Sequence, residues 1–379
     1  MKDLILLGAT GSIGEQTLIS TDNSCYKVSV ITVGHNINKA VDIIKNHDIK
    51  YVSCIEESDS KYIKSLFPNI EVGFGEEGIL NAIRNYPGDV LNAITGIAGL
   101  RPTVEAIKNK KNIFLANKET LVVAGDIINK LAKEYNVKIV PIDSEHNAIY
   151  QLLNGIDKNG VKKLIITASG GAFRDKNRCE LDTVTISDAL NHPNWSMGNK
   201  ITVDCATMVN KGLEVMEAHY LFDMPYDKIT TVIHKESIIH SMVEYTDNSV
   251  RALLYNPSMI IPIQNALFGF VKEPLVKEID FVKLGTLSFK EMDYNRYPMI
   301  KLAYEVGMKG GFYPTVYNAS NEKAVELFIN GKIKFLEIEE IIRKCVNDFS
   351  KSNFDQEFNI DNIIKLDKMI KKSINGLVK

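Results

Sequence analysis

Short apolar runs and stretches of helical spacing alternate through the first third of the chain. Residues 4–7 are all apolar and Gly8-Ala9-Thr10-Gly11-Ser12-Ile13-Gly14 follows at once. Ile13, Thr17 and Leu18 then recur at helical spacing, so the segment predicts strand, glycine turn and helix. Further strands are predicted at 28–33, 52–55, 90–94 and 113–115, with helices starting near residues 38 and 58. Such alternation predicts a parallel sheet with crossover helices.

The pattern then changes. Residues 164–168 read as a strand ending in Ser169-Gly170-Gly171, and after helical character near 184–190 comes a loop holding His192-Pro193-Asn194-Trp195-Ser196-Met197-Gly198. Residues 201–203 read as a short strand that runs into a helix carrying Asn210, Lys211, Glu214, Val215 and Ala218. Strands follow at 230–233, 239–245 and 250–254. Pro274 and Gly285 interrupt residues 269–296, which read as a linker; 300–306, 316–328, 338–346 and 360–374 read as helices.

Composition narrows the classes. With 45% hydrophobic and 24% charged residues among 379, the chain has the makings of a multi-domain globular protein. A formal charge of −2, without a like-charged tail, gives no expectation of a nucleic acid partner. Only Met1-Lys2-Asp3 and four apolar residues precede the glycines, too short for a signal peptide or membrane span, so a cytoplasmic protein without a membrane partner is expected. Five widely spaced cysteines form no paired motif, which argues against a disulfide framework or zinc site.

The spacing Gly8, Gly11, Gly14 lets a backbone turn tightly against a pyrophosphate lodged on a helix N-terminus, and the alternating context favours dinucleotide binding over an ordinary turn. The second strand ends in Gly34-His35-Asn36 with no carboxylate for a ribose hydroxyl; His35, Asn36 and Lys39 instead suit a 2′-phosphate, favouring NADP over NAD. Lys118 ends a predicted strand, where it either enters the ligand cleft or starts a surface helix.

Residues 140–147 carry the densest chemistry. In an extended segment Asp143 and Glu145 point the same way and can share a cation, whereas in a helix start Asp143 is a cap and Glu145 lies in the first turn. Ser169-Gly170-Gly171 offers backbone N–H groups to an anion, or is a sharp turn. Trp195, the only tryptophan, suits either a loop anchor or a lid that excludes water. Asn210, Lys211 and Glu214 share one helix face, so an anion at the first two would lie about 5 Å from a cation on the third; the alternative is an exposed ion pair.

At this point the residues match a family. Through GATGSIG, LANKET, IDSEHNAI, ASGGAF, HPNWSMG, NKGLE and HKESIIHSMV, in that order, the chain resembles the 1-deoxy-D-xylulose 5-phosphate reductoisomerases. The resemblance implies conversion of 1-deoxy-D-xylulose 5-phosphate with NADPH into 2-C-methyl-D-erythritol 4-phosphate, in non-mevalonate isoprenoid biosynthesis. It implies Asp143, Glu145 and Glu214 as metal ligands, their hard oxygens suiting Mg²⁺ or Mn²⁺, and catalysis by these acids together with Lys118. Ser169, His192, Asn210 and Lys211 would hold the substrate phosphate, Ser144 and Lys118 its reacting end, and Trp195 and Met197 would belong to a flap. Cys205 stands where the family usually has serine, and Ser237 is either a substrate contact or a loop serine.

Gly8, Thr10, Gly11, Ser12, Ile13, Gly34, His35, Asn36, Asn117, Glu119 and Gly198 are assigned to the cofactor, as is Met259 unless its helical spacing marks it as core. The implied fold class is α/β: a Rossmann-like NADPH-binding domain over 1–147, a central α+β catalytic domain over 148–268, a linker over 269–296 and a C-terminal helical domain over 297–379. The family alone implies a homodimer. Two rival classes stand beside this: a metal-dependent phosphosugar isomerase or aldolase, which leaves the glycine turn unexplained, and a non-catalytic NADP sensor, which needs none of the acids.

Overall fold

The computed structural model describes residues 1–22, 24–270 and 274–376. Two units emerge. The first comprises Met1–Thr120, Ile128–Asn147 and Ser258–Lys277, and the second Leu121–Ile127, Ala148–Pro257 and Glu278–Lys379. Residues 271–273, within the expected linker, lie outside the described residues, as do position 23 and residues 377–379.

In chain order come β1 (Lys2–Leu7), α1 (Ser12–Thr21), β2 (Tyr26–Val33), α2 (Ile37–Asn46), β3 (Tyr51–Cys54), α3 (Glu57–Leu66), β4 (Glu71–Phe74) and α4 (Gly75–Asn85). Then follow β5 (Asp89–Asn92), α5 (Leu100–Lys108), β6 (Ile113–Leu115), α6 (Lys118–Tyr135) and β7 (Ile139–Pro141). The strands form one parallel sheet ordered β4-β3-β2-β1-β5-β6-β7. Leu4, Ile5, Leu6 and Leu7 are wholly buried, as an uninterrupted apolar strand is when both sheet faces are covered. The strand order reverses beside β1, so the crevice for a ligand opens at the carboxyl ends of β1 and β5, where the glycine turn lies.

The expected strands and helices of this unit recur, but β4, α4 and α5 were not foreseen. β4 is an edge strand reading Glu-Val-Gly-Phe with no fully buried residue, so it carries no apolar signal. The acidic stretch also folds differently from an alternating strand. β7 stops at Pro141, α7 (Ser144–Leu152) starts at Ser144, and the Asp143 carbonyl accepts from the Asn147 N–H at 2.8 Å, the bond of an N-cap residue. Local helix chemistry overrides the period of two.

The second unit begins its sheet with β8 (Val161–Ala168), followed by α8 (Ile186–Leu190), α9 (Asn199–Thr207), α10 (Val209–Phe222), β9 (Ile229–Ile233), β10 (Ile239–Tyr245) and β11 (Val250–Leu254). α11 (Ile260–Phe268) belongs to the first unit, where it packs on α1. The chain continues through α12 (Phe281–Leu284), β12 (Lys290–Glu291), α13 (Pro298–Lys309), α14 (Tyr313–Ile329), α15 (Phe335–Ser350) and α16 (Ile360–Asn375). The mixed sheet is ordered β11-β10-β8-β9-β12, with β8 and β9 its parallel pair. α14 packs against α15 and α16, and α13 against α10.

Residues 201–203 are not the expected strand. They lie in α9, where Ile201, Thr202 and Val203 imitate a strand by being β-branched, yet Val203 and Ala206 bury one helical face. Within the stretch expected as linker, α12 forms a single turn and β12 pairs antiparallel with β9. No helix among the described residues is long and apolar enough to cross a membrane.

Candidate active site

In the first unit the glycine turn packs backbone on backbone. A Cβ at Gly14 would sit 2.4 Å from the Ala9 carbonyl oxygen, so only glycine lets α1 begin this close to β1. Gly11 caps α1 without any side-chain hydrogen bond, and Gly11 and Ser12 are exposed, which leaves the first N–H groups of the helix for a ligand. At the end of β2, a Cβ on Gly34 would meet nothing within 4 Å, and His35 and Asn36 are exposed. Asn36 caps α2 through its side-chain oxygen, accepting from the Lys39 N–H at 3.2 Å, and its NH₂ group remains a donor. The Lys39 ammonium pairs with Glu15.

β6 and β7 are neighbours with Leu115 opposite Pro141, so the residues just past their ends emerge side by side. There Lys118 forms an ion pair with Asp143, their side chains only 8% and 12% exposed. Ser144 donates to the Glu145 carboxylate at 2.5 Å. Lys118 is therefore no surface lysine. Asn117 is occupied locally: its NH₂ donates to the Ile94 and Gly96 carbonyls at 2.5 and 2.7 Å, and its oxygen accepts from the Thr120 N–H at 3.0 Å. A cofactor would meet its backbone. Glu119 is buried, and Met259, at the N-cap of α11, packs half-buried against the core with Ile263 and Leu267.

In the second unit, α10 brings Asn210, Lys211 and Glu214 together as their spacing foretold. Asn210 donates to Glu214 at 2.5 Å, and Lys211 pairs with the other carboxylate oxygen. The pair is buried, with side-chain exposures of 5% and 1%, and so is not the exposed bridge that spacing alone allowed.

The Ser169 turn uses two successive left-handed glycines, Gly170 (φ +86°) and Gly171 (φ +70°). A Cβ on Gly171 would lie 2.4 Å from the Cys205 carbonyl oxygen, so the missing side chain is what brings α9 and half-buried Cys205 against the turn. His192 Nε2 stands 3.0 Å from Ser169 Oγ, while its Nδ1 accepts from the backbone N–H groups of Asn194 and Trp195 at 3.2 and 3.0 Å. Two donors at Nδ1 place the proton of the neutral ring on Nε2, which donates to Ser169. Burial first, and the Arg174 charge second, push the His192 pKa down to about 4, so the ring is neutral at pH 7. Ser169 Oγ also accepts from the Gly171 N–H at 3.3 Å, so its own O–H is the group left to give.

Trp195 stacks edge-on against His240, with ring centroids 6.1 Å apart. Gly198 caps α9, and Ser237 accepts from Asn194 Nδ2 at 2.6 Å. Arg174, one residue beyond ASGGAF, and Asn194, to which HPNWSMG had assigned no role, join the Ser169 turn to this loop. They are 20 residues apart in sequence, and only the fold reveals the junction.

A dinucleotide-type sheet in the first unit and buried acid–lysine pairs in each unit define a nucleotide-dependent α/β enzyme class. Family comparisons give the particular member. Sequence models of 1-deoxy-D-xylulose 5-phosphate reductoisomerase match residues 4–125, and those of its C-terminal domains match 139–222 and 254–373. The 1-deoxy-D-xylulose 5-phosphate reductoisomerase of Bacillus pumilus (strain SAFR-032) is 49% identical over 354 residues, 92% of either chain. That of Bacillus subtilis (strain 168) is 50% identical over 353 residues, 91% of this chain and 92% of its own. A solved DOX-P reductoisomerase in complex with NADPH, fosmidomycin and magnesium superposes with a TM-score of 0.93 at 35% identity, covering 99% of this chain and 98% of that one. The enzyme from Zymomonas mobilis in complex with NADPH gives a TM-score of 0.90 at 36% identity over the same shares. The chain belongs to the 1-deoxy-D-xylulose 5-phosphate reductoisomerase family.

Proposed function

We propose that this chain converts 1-deoxy-D-xylulose 5-phosphate into 2-C-methyl-D-erythritol 4-phosphate, rearranging its carbon skeleton by retro-aldol and aldol steps and then reducing the branched aldehyde with NADPH, in the presence of Mg²⁺ or Mn²⁺. The observation that carries this reading is its near end-to-end match to reductoisomerases, in a chain that retains every acid of the expected ligand set.

The residues fit both groups. The glycine turn that a Cβ would fill and the uncapped start of α1 suit a pyrophosphate, and the Asn36 donors beside His35 suit a 2′-phosphate. Asp143, Glu145 and Glu214 are the proposed metal ligands; carboxylates are hard donors for Mg²⁺ or Mn²⁺, and Asp143 and Glu214 already hold positive charge through Lys118 and Lys211. Bound metal would polarise the substrate carbonyl and an adjacent hydroxyl, and bound NADPH would supply the hydride.

The chain's own side chains do the rest. Lys118 holds an ammonium at the sheet edge, where it can stabilise an oxygen of the reacting end next to Ser144. Ser169 gives its O–H, and Asn210 and Lys211 their N–H groups, to the phosphate, and this binding distant from the chemistry aligns the reacting fragments. His192 acts as a neutral donor, and Trp195 covers the polar site against water.

The test is absorbance at the NADPH band with purified protein and 1-deoxy-D-xylulose 5-phosphate, with Mg²⁺ and then with chelator. Oxidation requiring both substrate and metal is expected. Saturable NADPH binding without oxidation would favour a sensor, and rearranged sugar without NADPH consumption an isomerase. A homodimer is part of the reading, checked by light scattering, as is action in the cytoplasm, where NADPH is supplied, checked by cell fractionation.

A further inference from the structure

Arg174 is a cation of the second unit that the chemistry above does not use. Arg174 lies just beyond the glycine pair, and a Cβ on Gly170 would come within 2.6 Å of the Arg174 Cβ, so glycine lets the arginine fold back over the turn. Its Nη1 donates to the Lys235 carbonyl at 2.7 Å and reaches the Ser169 carbonyl and Asn194 Oδ1 at 3.5 Å. Asn194 Nδ2 donates to the same Lys235 carbonyl and to Ser237 Oγ, both at 2.6 Å. The Lys235–Ser237 turn is itself strained, because Ser237 adopts φ +55°.

We propose that Arg174 is a positioning residue for the substrate phosphate, tying the Ser169 turn, the Asn194 loop and the Lys235–Ser237 turn into one cradle. The inference rests on the phosphate reading of Ser169 and His192 given above. A planar guanidinium with several fixed donors suits a junction of three loops, whereas a lysine supplies a single mobile ammonium. Among the described residues no buried acid pairs with this charge. The carboxylate paired with it, Asp175, stands 3.6 Å away and is 79% exposed, a geometry worth little in water. A positive charge with weak neutralisation beside the Ser169 turn favours a phosphate dianion. Arg174 acts through Ser169 and Asn194.

Trp195, the only tryptophan, reports on this loop without turnover. The experiment measures Trp195 emission, its acrylamide quenching and its response to inorganic phosphate in the wild type, Arg174→Ala, Arg174→Lys and Asn194→Ala, alongside KM and kcat. Arg174→Ala should make Trp195 more quenchable and weaken phosphate binding about tenfold, the loss of a charge-assisted hydrogen bond. The KM for substrate should rise with it, NADPH affinity should hold, and Arg174→Lys should recover part of the loss. Unchanged quenching and phosphate affinity in Arg174→Ala would overturn the proposal, as would a wild type that does not respond to phosphate. If Arg174→Ala does not fold, Asn194→Ala decides by the same two readouts. A wild type that binds phosphate yet never oxidises NADPH would sink the reductoisomerase reading and leave Arg174 to be judged on Trp195 alone.

Discussion

Lys211 and Glu214 form an ion pair one helical turn apart inside α10, with their side chains only 5% and 1% exposed. A buried pair of this kind is costly to keep unless it serves a purpose beyond stability, because desolvation offsets much of its attraction. Its position beside Asn210 fits the proposed use of the pair, one carboxylate for a metal and one ammonium for a phosphate.

Glu214→Gln should therefore abolish turnover, lowering kcat by at least about a thousandfold, since the Lewis acid is worth several kcal/mol. NADPH affinity should stay within about twofold, because no proposed dinucleotide contact lies on α10. Stability should fall by roughly 1–3 kcal/mol as Lys211 loses its buried counter-charge. Steady-state kinetics, NADPH titration and urea unfolding read the three separately, and an active variant would remove Glu214 from the ligand set.

The same pair predicts coupling between metal and anion. When a divalent cation draws on the Glu214 carboxylate, the Lys211–Glu214 attraction weakens and Lys211 gains affinity for phosphate; when phosphate draws on Lys211, the same attraction weakens and Glu214 gains affinity for metal. Such linkage is reciprocal and typically amounts to roughly 5- to 150-fold. Inorganic phosphate should bind more tightly in Mg²⁺ than in chelator, as followed by Trp195 emission, and Mg²⁺ more tightly with phosphate present. Equal constants in both arms would mean that Lys211 holds its place beside Glu214 throughout.

Much of this was legible before the fold. The glycine turn, the absence of an acid after β2 and the shared face of α10 all follow from local spacing, which backbone geometry turns directly into position. What local spacing could not give was of two kinds. α9 looked like a strand because β-branched residues lean that way, and burial against neighbouring elements overrode the preference. Asp143 and Glu145 fitted either alternate positions of a strand or the start of a helix, and the helix that begins at Ser144 decides between the two. The junction of Arg174, Asn194 and Lys235 was invisible because its members lie 20 to 61 residues apart. Its anchor is moreover a backbone carbonyl, for which sequence has no letter.

His192 predicts a pH dependence of stability. Its pKa is held down to about 4 in the folded chain, against about 6.5 when unfolded. Below pH 6.5 the unfolded chain takes up a proton at this ring while the folded one does not, so stability falls as pH drops from about 6.5 towards 4. His192→Gln keeps a neutral side chain and removes that titration. Its urea midpoint should lose less than the wild type's between pH 7 and pH 4.5; parallel losses would show that other groups carry the acid sensitivity.

Cys205 stands where the resemblance implies a serine at the proposed anion site, and its location says how much the exchange should matter. Gly171 brings the α9 backbone at Cys205 against the Ser169 turn, so α9 is fixed by main-chain contact whatever the side chain. A thiol is a weaker donor than a hydroxyl, and the difference in one hydrogen bond is about 0.5–1.5 kcal/mol, or roughly two- to tenfold in affinity. Cys205→Ser should therefore keep kcat and lower the KM for substrate by about that factor, with no change in the KM for NADPH. A fall in kcat instead would mean that the sulfur has a role of its own, and that this chain tuned its phosphate site around it.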